Sequence, residues 1–256
     1  MHMLNPHCGV DRDPRGVVRL TICNAGSLNI LGTPVISGVR EGLQALAADR
    51  DIRVLVLAGQ SEKSMIGGAD IKEMAKLDQK SAEKFISGLR DLCEAVRAFP
   101  GPVIARMPGW CLGGGLEVAA ACDFRIAAHD AKFGMPEVRV GIPSVIHAAL
   151  LPRLIGWGRA RWLVMTAENI DAPTALAWGL IDRVAPPDGL DGEVERTIEM
   201  LLECSPEALR AQKTLLRQWE ELPLKESVDL SIGVFGQSYL TGEPQRLMQG
   251  FVDRKR

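Results

Sequence analysis

A chain of 256 residues with 46% hydrophobic and 24% charged side chains is long enough for one sizeable core and has ordinary globular composition. Its 30 Lys plus Arg against 32 Asp plus Glu leave a formal charge of −2, so no nucleic-acid partner is expected, and the basic end Arg254-Lys255-Arg256 reads as a solvated tail. The opening MHMLNPHCGV has no basic start and apolar run, and no apolar stretch nears the roughly 20 residues that span a bilayer, so a cytoplasmic protein with no membrane partner is expected.

Strand-like and helical runs alternate along the chain. Val17–Cys23 reads as a strand. Thr33-Pro34 offers an N-cap followed by proline at the first helical position, and Val35, Val39, Leu43 and Leu46 share one helical face. Val54–Gly59 is apolar almost throughout, as suits a strand covered on both faces. Ser81 is expected to open a helix striped by Phe85, Leu89, Leu92 and Val96, which ends before Pro100-Gly101. Pro102–Met107 and Phe124–Ala128 are further strands, and the alternation predicts an α/β arrangement. From about residue 196 only helical patterns remain. Ser205-Pro206 starts a helix with Ala208, Ala211, Leu215 and Trp219; another carries Val228, Ile232, Phe235 and Tyr239; a last includes Leu247 and Phe251. The expected organisation is therefore a core of residues 1–195 bearing the site and an all-helical C-terminal unit of residues 196–256.

Chemistry concentrates in two glycine-rich turns and two glutamates. Gly67 and Gly68 follow a strand and precede the helical IKEMAKL, where glycine lets a ligand approach the peptide N–H groups. Gly113, Gly114 and Gly115 open the short helix LEVAAAC, whose free N–H groups and dipole form an anion-stabilising site. Neither turn fits a P-loop or a dinucleotide fingerprint. Glu117 lies in the first turn of that helix between apolar neighbours, so its pKa is expected to rise. Glu137 is a second acid among apolar residues, in FGMPEVRVGIP. Two N–H donors for the oxygen of a thioester as it becomes an enolate, with two carboxyl groups to move a proton and position water, make a coherent site. The six cysteines lack C-x-x-C spacing and the four histidines lack H-x-x-x-H spacing. Reduced thiols and no bound metal are expected.

The GGADIKEM, GGG-x-E and F-G-x-P-E elements, in this order and with Glu117 and Glu137 twenty positions apart, resemble the crotonase superfamily of enoyl-CoA hydratases and isomerases. Ala167–Val184 and the closing Phe251–Arg254 are similar to later family segments, and the resemblance runs from about Val17 onward. It implies a spiral of strand–strand–helix repeats with a helical, trimer-forming C-terminal part. It further implies homotrimers or hexamers, acyl-CoA thioester substrates and no cofactor beyond the coenzyme A of the substrate. Carried over by motif, the oxyanion-hole amides are those of Gly67 and Gly114; the catalytic acids are Glu117, which activates water for C3, and Glu137, which protonates C2. Gly68, Ala69, Asp70 and Gly113 fall in the substrate-binding turns. The implied reaction is syn addition of water to a trans-2-enoyl-CoA, giving a 3-hydroxyacyl-CoA through an enolate. The rival readings are an isomerase, another acyl-CoA lyase or a hydrolase on the same oxyanion hole, then an RNA-associated or purely structural role. Two departures stand out. Met65-Ile66 replaces the family's aromatic-containing approach, and Gly141–Leu150 replaces a glycine-rich stretch bordering the acyl pocket, with His147 expected as a packed or surface side chain.

Overall fold

The computed structural model describes residues 1–253; the basic end, and Arg254 of the closing motif, lie outside the described residues. The chain forms two compact units, Met1–Leu201 and a second that begins at Leu202. The expected division after residue 195 would cut a helix, because Leu190–Leu202 runs unbroken, with Val194, Thr197, Ile198 and Leu201 buried along one face.

The first unit holds eleven described strands: β1 (His2–Asn5), β2 (Cys8–Arg12), β3 (Val17–Ile22), β4 (Val54–Gly59), β5 (Ser64–Ile66), β6 (Val103–Met107), β7 (Trp110–Leu112), β8 (Phe124–Ala128), β9 (Lys132–Gly134), β10 (Ile170–Asp171) and β11 (Arg183–Ala185). Seven make one sheet in the order β1-β2-β3-β4-β6-β8-β11, and four make a smaller sheet in the order β10-β9-β7-β5. From β3 to β11 the large sheet is parallel, while β1 and β2 join it antiparallel. All six residues of β4 are buried, as its unbroken apolar run predicts for a parallel strand between two neighbours.

The helices of this unit are α1 (Thr33–Ala47), α2 (Ile71–Met74), α3 (Gln79–Ala98), α4 (Gly114–Ala121), α5 (Leu151–Thr166), α6 (Ala172–Trp178) and α7 (Leu190–Leu202). Together they reveal a repeated step. A strand of the large sheet is followed by a short strand of the small sheet and then by helix, first as β4-β5 with α2 and α3, then as β6-β7 with α4. The third step, β8-β9, passes through 3-10 turns at Glu137–Val140 and Ile146–Leu150 into α5. This is the strand–strand–helix spiral.

Two helix starts differ from expectation. Asp78, not Ser81, caps α3, in a capping box where the Asp78 side chain accepts from the Ser81 N–H and Ser81 Oγ accepts from the Asp78 N–H, each at 2.8 Å. Gly32 precedes α1, and Thr33 is its first helical residue, with its N–H and hydroxyl both donating to Glu73. The α3 stripe of Phe85, Leu89, Leu92 and Val96 is buried as its spacing predicts.

The second unit contains α8 (Pro206–Glu221), α9 (Leu224–Ser238) and α10 (Glu243–Asp253). Ser205 caps α8, its hydroxyl accepting from the Ala208 N–H. The predicted apolar stripes differ in fate from those of α3. Leu215 is buried, but Val228, Ile232 and Phe235 of α9 are exposed. None of the six cysteines forms a disulfide.

Candidate active site

The sequence-distant motifs meet because of the small sheet. β5 pairs parallel with β7, with Ile66 opposite Cys111, and β7 pairs parallel with β9, with Leu112 opposite Gly134. Parallel neighbours release their following turns at the same edge. The Gly67-Gly68 turn after β5, the Gly113 turn after β7 and the Met135-Pro136-Glu137 turn after β9 therefore emerge side by side.

Gly113 joins β7 to α4 with φ 52° and ψ −125°, a conformation that only glycine adopts without strain. Its N–H donates to the Gly134 carbonyl at 2.9 Å, and its own carbonyl accepts from the Glu117 N–H at 3.0 Å. A Cβ here would collide with Glu137 Oε1, so the carboxylate fills the volume that a side chain at 113 would take. Gly114 then starts α4, tight against α3, since a Cβ on it would lie 2.7 Å from Leu89 Cδ2. As the first helical residue, Gly114 has an N–H without an intrahelical acceptor, at the positive end of the helix dipole.

All eight residues of α4 are buried, Glu117 among them at 4% exposure. Burial pushes its carboxyl up to about 8; the 2.8 Å hydrogen bond that Oε1 accepts from the Ala148 N–H opposes the rise, and the Glu137 charge adds to it. Glu137 opens the first 3-10 turn, and burial raises its pKa too, against its own backbone N–H and the Ser144 hydroxyl, which donates to Oε2 at 3.0 Å.

The remaining candidates are placed less simply. Gly67's N–H, expected to be a free donor, instead donates to the Leu28 carbonyl at 2.7 Å. The Leu28 turn is fixed there by Asn29, which sits at φ 51° and donates from its side chain to the Ser64 carbonyl at 2.8 Å. Gly68, at φ 120°, contributes its carbonyl to the Leu31 N–H, while its own N–H has no partner among the described residues. Ala69 bridges to Leu31, and the Asp70 carboxylate caps α2 by accepting from the Lys72 and Glu73 N–H groups at 2.8 and 3.2 Å. Asp70 thus shapes the turn through its cap. Sequence reading missed Ser144 and Ala148, the partners of the two glutamates. Ser144 stands in the segment that departs from the family pattern, but nothing in the sequence marks a backbone N–H such as that of Ala148.

The same segment borders a cleft of about 490 Å³, lined by Ser144, Val145 and Ala148 and, from α5, by Pro152, Trp157 and Arg161. No helix among the described residues is long and apolar enough to cross a membrane, and no three His, Cys, Asp or Glu side chains among them cluster to hold a metal ion.

Comparison with known proteins places the whole chain in one family. Residues 12–256 match the family model described as enoyl-CoA hydratase/isomerase. The chain is 32% identical to a crotonyl-CoA hydratase of Syntrophomonas wolfei, over 90% of this chain and 89% of the relative. It is 34% identical to a probable enoyl-CoA hydratase of Mycobacterium bovis, over 96% and 95%. The crystal structure of a Mycobacterium smegmatis enoyl-CoA hydratase superposes with a TM-score of 0.93 at 28% identity, covering 98% of this chain and 97% of that one. Fold, motif order and whole-length similarity agree: this chain belongs to the enoyl-CoA hydratase/isomerase family.

Proposed function

We propose that this protein hydrates a trans-2-enoyl-CoA to a 3-hydroxyacyl-CoA. The observation that carries the reading is the meeting of the buried Glu117 and the half-buried Glu137 at the glycine turn that starts α4. With one proton shared by the pair, one carboxylate takes a proton from water as its oxygen bonds to C3. The other carboxyl gives its proton to C2, so the elements of water are added and the pair again holds one proton. The resemblance assigns the first task to Glu117 and the second to Glu137, so the reactive form carries the shared proton on Glu137 although burial favours it on Glu117.

As the C3–O bond forms, charge gathers on the thioester oxygen. The Gly114 N–H supplies one donor at the head of a buried helix. The second comes from the Gly67-Gly68 turn. If it is Gly67's N–H, that group shares or exchanges its bond to Leu28 with the thioester oxygen. The cleft beside Ser144 and Ala148 suits an acyl group extending past the carboxyl pair. The exposed apolar side chains of α9 suit packing between copies of the chain, in a trimer or a pair of trimers.

The test is to present purified protein with trans-2-enoyl-CoA thioesters of short, long and aromatic acyl chains and to follow products by mass spectrometry. A gain of one water at C3 is expected. A shifted double bond without mass change would move the assignment to isomerisation, and no reaction with any thioester would overturn the reading.

A further inference from the structure

We propose that His147 is a positioning residue, tethered through Glu94 to α3 so that the turn it occupies holds the Ala148 N–H on the Glu117 carboxylate. The kinetic consequence rests on the hydration reading, whereas the tether itself stands on geometry. His147 is 8% exposed and its Nε2 lies 2.8 Å from Glu94 Oε1, while the next residue donates its N–H to Glu117 at 2.8 Å. Glu94 is itself steadied from one turn further along α3, where Arg97 Nε lies 3.7 Å from the same oxygen.

This turn needs holding. Ile146, the residue before His147, sits at φ 40°, a left-handed conformation that a β-branched residue strongly disfavours. A turn under such strain keeps its shape only where its surroundings fix it. The turn packs on α4, α5 and α3, and the side-chain tether runs to α3, the helix whose Leu89 also meets the start of α4 at Gly114. One helix therefore indexes both the donor end of α4 and the turn that feeds Glu117. His147 Nε2 is committed to Glu94, so it acts on the reaction through Ala148 and Glu117.

The titratable groups facing Glu117 are Glu137 and, from α3, the Cys93 thiol, which burial pushes up. Their presence makes the direction of change informative. Losing the tether withdraws an N–H from the carboxylate and raises the Glu117 midpoint, and Glu94 is not among the charges acting on Glu117.

The experiment follows the Glu117 carboxyl by carbon NMR in carboxyl-labelled intact protein, with steady-state kinetics on an enoyl-CoA thioester and thermal unfolding alongside. His147→Ala and Glu94→Ala are each expected to raise the midpoint by about half to one unit. Each should also lower kcat roughly fivefold to twentyfold with little change in KM. His147→Gln, whose amide can donate to Glu94, is expected to recover most of both. The Glu94 side chain is 47% exposed, so Glu94→Ala carries the test even if His147→Ala fails to fold. A midpoint unmoved or lowered in Glu94→Ala, with only thermal stability changed, would overturn the tether. A wild-type protein that hydrates no thioester would overturn the functional reading instead, and the NMR midpoints would still decide the tether.

Discussion

Helix α4 of the first unit and helix α9 of the second treat apolar side chains in opposite ways. The first unit surrounds β4 on both faces and buries a whole helix, α4, with a carboxyl inside it. The second unit leaves Leu224, Ile232 and Phe235 of one helix 82%, 70% and 65% exposed. A buried carboxyl costs stability and is kept where its altered proton affinity is used. Large exposed apolar side chains on one helix are expected where another chain covers them. On the proposed function, the contrast puts the chemistry at α4 and a surface for assembly at α9.

The largest effect should fall on that buried acid and its partner. Glu117→Gln and Glu137→Gln are each expected to lower hydration by roughly a hundredfold or more, with the oligomer unchanged in sedimentation. Wild-type-like turnover in either would break the contrast at its stronger side.

Next in size is a pH effect on stability. Burial holds the folded-state pKa of Glu117 at about 8, above the ordinary glutamate value of 4.5, so the folded chain binds more protons over that interval. Its contribution is complete below the unfolded pKa and is lost as pH rises through about 8. Glu137, raised as well, acts in the same direction. Glu117→Gln should therefore gain on wild type by on the order of 2–4 kcal/mol near pH 9, with the gap closing toward pH 4 in denaturant titrations. An equal gap at both ends would mean that Glu117 is not buried as a titrating group.

A smaller change is expected from Ser144→Ala, which removes one hydroxyl donor from Glu137. Turnover should fall about tenfold and the upper limb of the pH–rate profile should move to higher pH. The least disturbance of the individual chain is expected on the other side of the contrast. Ile232→Ser combined with Phe235→Ser should leave far-UV circular dichroism unchanged while lowering the sedimentation coefficient. An unchanged coefficient would remove α9 from the assembly surface.

Legibility in the sequence followed element length and environment. Val54–Gly59 and Phe124–Ala128 have the bounds that their apolar runs predict. The three-residue strands β5, β7 and β9, which align the site's turns, are too short to show any period. β1 and β2 were missed because β1 and the far end of β2 face solvent and carry no alternation. Gly113, Glu117 and Glu137 were legible as residue types among apolar neighbours. Their partners were harder to see: the Leu28 carbonyl on Gly67 is backbone from a distant turn, and the Asp78 cap competed with Ser81 three residues on. The helix that crosses residue 196 hid the unit boundary, because a continuous helix gives no compositional break.

The occupied space at Gly113 links two positions in the chain's capacity to change. Glu137 Oε1 stands where residue 113 would place its first side-chain carbon, so the two sites form one steric unit across the turn. Drift at either is then conditional on the other. Alanine at 113, already strained by the backbone, would push the end of the Glu137 side chain aside, and aspartate at 137 would draw the carboxylate back from that space. Lineages descending from this chain should carry these two positions as a co-inherited pair.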